Sequence, residues 1–78
     1  MHRMNAQGKR IVEMLSPREL QVLLLLADGL PSTKIAKRFG TAHFTVRNQI
    51  QNILRRTGLH SKLAAVVAAY RNGIVHIS

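Results

Sequence analysis

Start and stop signals for helices divide this chain so closely that little room remains for any other regular structure. Leu15-Ser16-Pro17-Arg18-Glu19 opens a helix with Ser16 as N-cap, Pro17 in the first helical position and Glu19 at the spacing of a capping box. Apolar residues follow to Ala27, and Gly29 offers the left-handed conformation in which a helix stops. This predicted helix covers about residues 17–28, burying a subset of Leu20, Val22, Leu23, Leu26 and Ala27 and leaving Leu24 on its outer face. Pro31 and Ser32 open a second, shorter helix over about residues 32–39, with Ser32 able to cap it. Ile35, Ala36 and Phe39 then face inward and Lys34, Lys37 and Arg38 outward, before Gly40 ends the helix. A third helix runs over about residues 43–57 and closes at Gly58; Ser61 caps a fourth, about 61–72, that closes at Gly73. On the fourth, Leu63, Val66, Val67 and Tyr70 are expected inward, and Ala64, Ala68 and Arg71 form a small-residue outer strip.

The third helix carries two chemistries. In TVRNQIQNILRR, residues 45–56, the apolar side chains Val46, Ile50, Ile53 and Leu54 recur at helical spacing and predict a core-facing stripe. Arg47, Asn48, Gln51 and Arg55 fall on the opposite side, and Arg, Asn and Gln present the forked donors and acceptors that match base edges in a major groove. An ordinary solvated face mixes carboxylates with cations, and this segment contains no carboxylate. Two short helices joined around Gly40, followed by a longer one with a polar outer face, make a helix-turn-helix arrangement. The expected fold class is all-α, a bundle-like domain of four helices.

Charge narrows the partner. Twelve Lys and Arg stand against three Asp and Glu, a formal net charge of +9 that calls for a polyanion. A membrane is the competing surface, but the longest apolar run, residues 22–27, is far too short to span a bilayer, and the N-terminal segment lacks the apolar stretch of a signal peptide. A cytoplasmic protein is expected. Aromatic residues make up only 4% of the chain with no Trp, which disfavours a stacking platform for single strands and favours duplex DNA. At 78 residues the chain holds one small domain, with little room for a catalytic cleft. Cysteine is absent, and His2, His43, His60 and His76 show no metal-ligand spacing, so they read as surface or tail residues. Glu13, Glu19 and Asp28 are too few for paired-carboxylate chemistry, particularly with Glu19 used in a cap. Neither a cofactor nor an enzyme activity is expected. Residues 1–14 are basic, contain Gly8 and lack an apolar period, and read as a flexible arm or linker.

The remainder, residues 15–78, resembles the LuxR-type (GerE-like) DNA-binding domain of bacterial transcriptional regulators. The resemblance rests on Leu15, Arg18, Glu19, Val22-Leu23, Ala27-Asp28-Gly29-Leu30, Ile35-Ala36, Arg38, Gly40, Thr45-Val46, Asn48, Asn52-Ile53-Leu54, Gly58, Ser61, Ala65-Val66 and Gly73, in order and without a gap. It implies sequence-specific binding of double-stranded DNA, with the third helix in the major groove and Arg47, Asn48 and Gln51 at the base-reading positions. Thr45 matches a family threonine on the DNA backbone. Ser32, Thr33, Lys34, Lys37, Arg55, Arg56 and Lys62 are further candidates for phosphate contact, because cations and hydroxyls beside a docked helix meet the backbone. The resemblance also implies a dimer through the fourth helix, at Ala64, Ala68 and Arg71, on a pseudo-palindromic site. Upstream sensor domains are usual in the family, so the chain is expected to be an excised effector domain of a response regulator or a free-standing regulator.

Departures from the family pattern cluster before the third helix. Pro31 and Lys34 stand where a capping serine and a glutamate are usual, and Ala42 replaces the capping hydroxyl of the third helix, a loss typically worth about 1 kcal/mol. Gln49, Thr41 and Thr57 replace a common histidine, isoleucine and leucine. Phe44 stands at a usually polar position, where it either covers the corner of the helix-turn-helix or meets a thymine methyl. A different class of function also fits the leucine cluster of the first helix and the alanine strip of the fourth: a small helical module contacting another regulator or RNA polymerase.

Overall fold

The computed structural model describes residues 3–76, and every regular element among them is a helix. The order is α1 (Ala6–Met14), α2 (Pro17–Ala27), α3 (Ser32–Phe39), α4 (His43–Thr57) and α5 (Lys62–Arg71). The last four lie where the capping and glycine signals put them. At the start of α2 the capping box closes in both directions: the Glu19 N–H donates to Ser16 Oγ at 3.1 Å, and the Ser16 N–H donates to Glu19 Oε1 at 2.9 Å. Glu19 is only 5% exposed, so its charge needs further compensation, and Arg56 of α4 supplies it at 3.4 Å. One carboxylate thus joins the first turn of α2 to the last turn of α4.

The core forms where the stripes of these helices meet. Val46, Ile50 and Ile53 of α4 are buried with Val22, Leu23, Leu26 and Ala27 of α2 and Ile35 and Ala36 of α3. Leu54 and Phe39 pack against this cluster half-buried, and the Arg18 guanidinium stacks 4.1 Å above the Phe39 ring centre. Leu24 lies outward, as its helical position requires.

The N-terminal segment differs from the expected flexible arm. Residues Ala6–Met14 are helical, with the Asn5 side chain capping the Gly8 N–H at 2.8 Å and Ile11 buried in the common core. His2 lies outside the described residues. The segment is held at the opposite end of the chain: the Asn5 N–H donates to the Asn72 carbonyl at 3.1 Å, and Asn5 Nδ2 donates to Asn72 Oδ1 at 3.2 Å. Two glycines permit this clasp. A Cβ at Gly8 would lie 2.5 Å from the Asn72 carbonyl oxygen; one at Gly73, where φ is +76°, would lie 2.6 Å from the Arg3 carbonyl oxygen. Gly8→Ala is therefore expected to destabilise the chain by about 1–2 kcal/mol, the overpacking cost exceeding the helix-propensity gain of alanine. Faster amide exchange at Asn5 would report it, and unchanged exchange would refute the clasp.

The last helix is rotated relative to expectation. Leu63 and Val67, expected inward, are 71% and 41% exposed, Tyr70 is also exposed, and the buried residues are Ala65 and Ala69. Ala64 and Ala68, expected on the outer strip, are half-buried, Ala68 against the core; Val66 is half-buried and Arg71 exposed. The reason is distance: alanines let the α5 backbone approach α2 closely, and larger side chains would hold the helices apart. Tyr70 then lies across the end of α2, its hydroxyl donating to the Ala27 carbonyl at 2.7 Å.

Candidate nucleic-acid interface

The outer face of α4 is built by the same periodicity that buries its stripe. Phe44, Arg47, Asn48, Gln51 and Arg55 are all exposed, within one side of the helix at spacings of three and four residues. Arg55 Nη2 donates to Asn52 Oδ1, which holds its guanidinium along the helix surface. Phe44 is 64% exposed and does not cover the helix-turn-helix corner.

Neighbouring elements frame this face. The N-terminus of α3 meets that of α4 where Ser32 Oγ lies 2.7 Å from His43 Nε2. Ser32 was expected to cap α3, but Pro31 occupies the N-cap position and Ser32 is the first helical residue, which frees its hydroxyl for His43. A groove beside α4 brings together Ser32, His43, Arg47, Gln51, His60 and Lys62, so the starts of α3, α4 and α5 converge there. Neither Pro31 nor Ala42 makes a side-chain capping bond, and the first-turn N–H groups of both helices keep their preference for an anion.

The candidate phosphate contacts separate into groups. Ser32 and Lys62 line the groove with Arg47, while Arg55 shares the α4 face. Thr33, Lys34 and Lys37 are exposed on α3, where Lys34, Lys37 and Arg38 also line a shallow depression with Asp28. Thr45 is half-buried, its N–H donating to the Ala42 carbonyl at 3.1 Å. Arg56 is not brought to the face, because Glu19 and, at 3.5 Å, the Met14 carbonyl engage it. His43 and His60 join the groove without having been singled out for it. Their signal was positional, each standing at or just before the start of a basic helix, and the pairing of His43 with Ser32 across a turn has no periodic signature.

Electrostatics reinforce the geometry. From Gly29 onward the sequence contains eight Lys or Arg and no Asp or Glu, so α3, α4 and α5 carry positive charge unopposed by their own carboxylates. Such a surface draws phosphates over distances of about one Debye length, roughly 8 Å at physiological salt.

Residues 13–69, from the end of α1 nearly through α5, match the family of bacterial regulatory proteins described as the luxR family. The chain belongs to this family. It is 35% identical over 69 residues to the nitrate/nitrite response regulator protein NarL of Escherichia coli (strain K12), a match covering 88% of this chain and 32% of that protein. It is similarly 35% identical over 68 residues to the uncharacterized transcriptional regulatory protein YxjL of Bacillus subtilis (strain 168), covering 87% of this chain and 31% of YxjL. Response regulator protein VraR of Staphylococcus aureus (strain COL) is 32% identical over 73 residues, covering 91% of this chain and 35% of VraR. The chain spans about one third of the length of these curated relatives. No solved structure matches it. Among the described residues, no helix is long and apolar enough to cross a membrane.

Proposed function

We propose that this chain binds double-stranded DNA sequence-specifically in bacterial transcription regulation, with α4 lying in the major groove. The observation that carries the reading is the exposure of Arg47, Asn48 and Gln51 on one side of α4, in a half of the chain without carboxylates. Family membership and the response regulators among its relatives support it. Arg47 pairs bidentately with a guanine, Gln51 reads an adenine or a neighbouring base through water, and Asn48 reads between them. Ser32, Thr33, Lys34, Lys37, Thr45, Arg55 and Lys62 position the domain on phosphates. This ligand places the protein in the cytoplasm.

The exposed apolar strip of α5 supports a two-fold dimer on a pseudo-palindromic site. Leu63, Val67 and Tyr70 take the place expected for Ala64 and Ala68, with Arg71 beside them. The same strip, with exposed Leu24, favours a second reading in which the domain contacts RNA polymerase or another regulator.

Selection from a random duplex pool tests these claims together. The expected product is a paired site whose half-sites lie about one helical turn, roughly 10 bp, apart. An unpaired half-site would remove the dimer, and a pool without enrichment would remove base reading. Binding to a protein partner alone would leave the second reading in place.

A further inference from the structure

Phe44 is the large side chain on the α4 face that polar recognition leaves unused. At 64% exposed, its ring lies largely in water, whereas Val46, two residues further on, is wholly buried. Keeping a ring of this size in solvent forgoes a large apolar burial. Its place in the helix is defined: one turn before Arg47 and Asn48, and two turns, about 10 Å along the axis, before Gln51. Phe44 thus shares the side that presents the polar base readers, at the N-terminal end that enters a groove first in helix-turn-helix docking. A phenyl ring has no hydrogen bond to offer a base edge. The apolar feature that a base pair displays in the major groove is the C5-methyl group of thymine.

We propose that Phe44 is a specificity residue that selects thymine by packing its ring against the C5-methyl group. This rests on the DNA-binding reading above and extends it to a base that Arg47, Asn48 and Gln51 do not read. A phosphate-binding role does not suit an uncharged ring.

The test uses the full chain and the duplex enriched from a random pool, in which each thymine is replaced in turn by uracil, deleting the methyl group while keeping the pairing edge. At one thymine per half-site, uracil is expected to weaken binding on the order of fourfold, the worth of one buried methyl. Phe44→Ser is expected to bind the thymine and uracil duplexes equally, whereas Arg47→Ala keeps the discrimination. Uracil tolerated at every thymine, with specific binding intact, would overturn the assignment of Phe44 alone. Discrimination that survives in Phe44→Ser would do the same. Failure of the chain to enrich any duplex would overturn the DNA reading and this inference with it.

Discussion

Arg47→Ala is expected to weaken binding to the selected duplex by roughly 5- to 150-fold, the equivalent of about 1–3 kcal/mol, and to leave binding to a scrambled duplex much less changed. The asymmetry follows from geometry. A guanidinium paired bidentately with a guanine contributes only where that guanine is present, whereas a phosphate contact contributes on every sequence. Arg47 is exposed on α4 and also lines the groove shared with Ser32 and Lys62, so its guanidinium is free to meet either a base or a phosphate. Anisotropy titrations of both duplexes at one salt concentration separate them: equal weakening on the two would show that Arg47 holds phosphate. Lys62→Ala supplies the contrast, weakening both duplexes alike and lowering the slope of log affinity against log salt by about 1.

Ile53→Ala is expected to cost about 2–5 kcal/mol of folding stability, read as a lowered midpoint in urea or thermal unfolding. Ile53 has no exposed surface, and the cluster around it draws on α2, α3 and α5 as well as α4. Small domains of marginal stability feel such a loss strongly: at about 4–8 °C per kcal/mol, the unfolding midpoint falls by about 10 °C or more. Arg47→Ala, which removes exposed atoms alone, is expected to stay within about 0.5 kcal/mol of the unsubstituted chain. Together the two variants divide α4 into a face that holds the fold and a face that meets the ligand. A loss under about 1 kcal/mol for Ile53→Ala would mean that the surrounding side chains close over the missing methyls.

The boundaries of α2, α3, α4 and α5 were legible because local chemistry sets them. Ser16 and Glu19 bond each other's backbone, and Gly40 and Gly58 adopt the left-handed conformation that ends a helix, wherever the rest of the chain lies. The two faces of α4 were legible for a similar reason: its polar and apolar positions differ in kind as well as in spacing. On α5 that contrast is missing. Alanines, valines and a leucine surround the helix, so either side can serve as the buried one, and hydrophobicity points to the wrong residues. The inward face is the one whose side chains are short enough for α5 to approach α2, and this is a property of two helices at once.

The same distinction explains α1. Its single buried large side chain, Ile11, makes no apolar period, and a nine-residue helix is marginal in water by itself. Asn72, 67 residues from Asn5 along the chain, supplies what the local sequence lacks. At the candidate interface, the exposure of Arg47, Asn48 and Gln51 on one side of α4 was legible because all three belong to one helix. The loss of Arg56 to Glu19 and the meeting of His43 with Ser32 were not, since each joins residues on different helices.

By itself, then, the sequence determined where most helices start and stop, which side of α4 is apolar, and that the chain from Gly29 onward carries Lys and Arg with no Asp or Glu. Capping, periodicity and charge act within a few residues or over the whole surface, and both can be read along a line. Only the tertiary structure decided which face of α5 is buried, that the N-terminal segment folds back on Asn72, that Arg56 is paired with Glu19, and that Phe44 stands in solvent on the exposed side of α4. Those outcomes depend on how closely the helices approach one another, and that distance is set by side chains far apart in the chain.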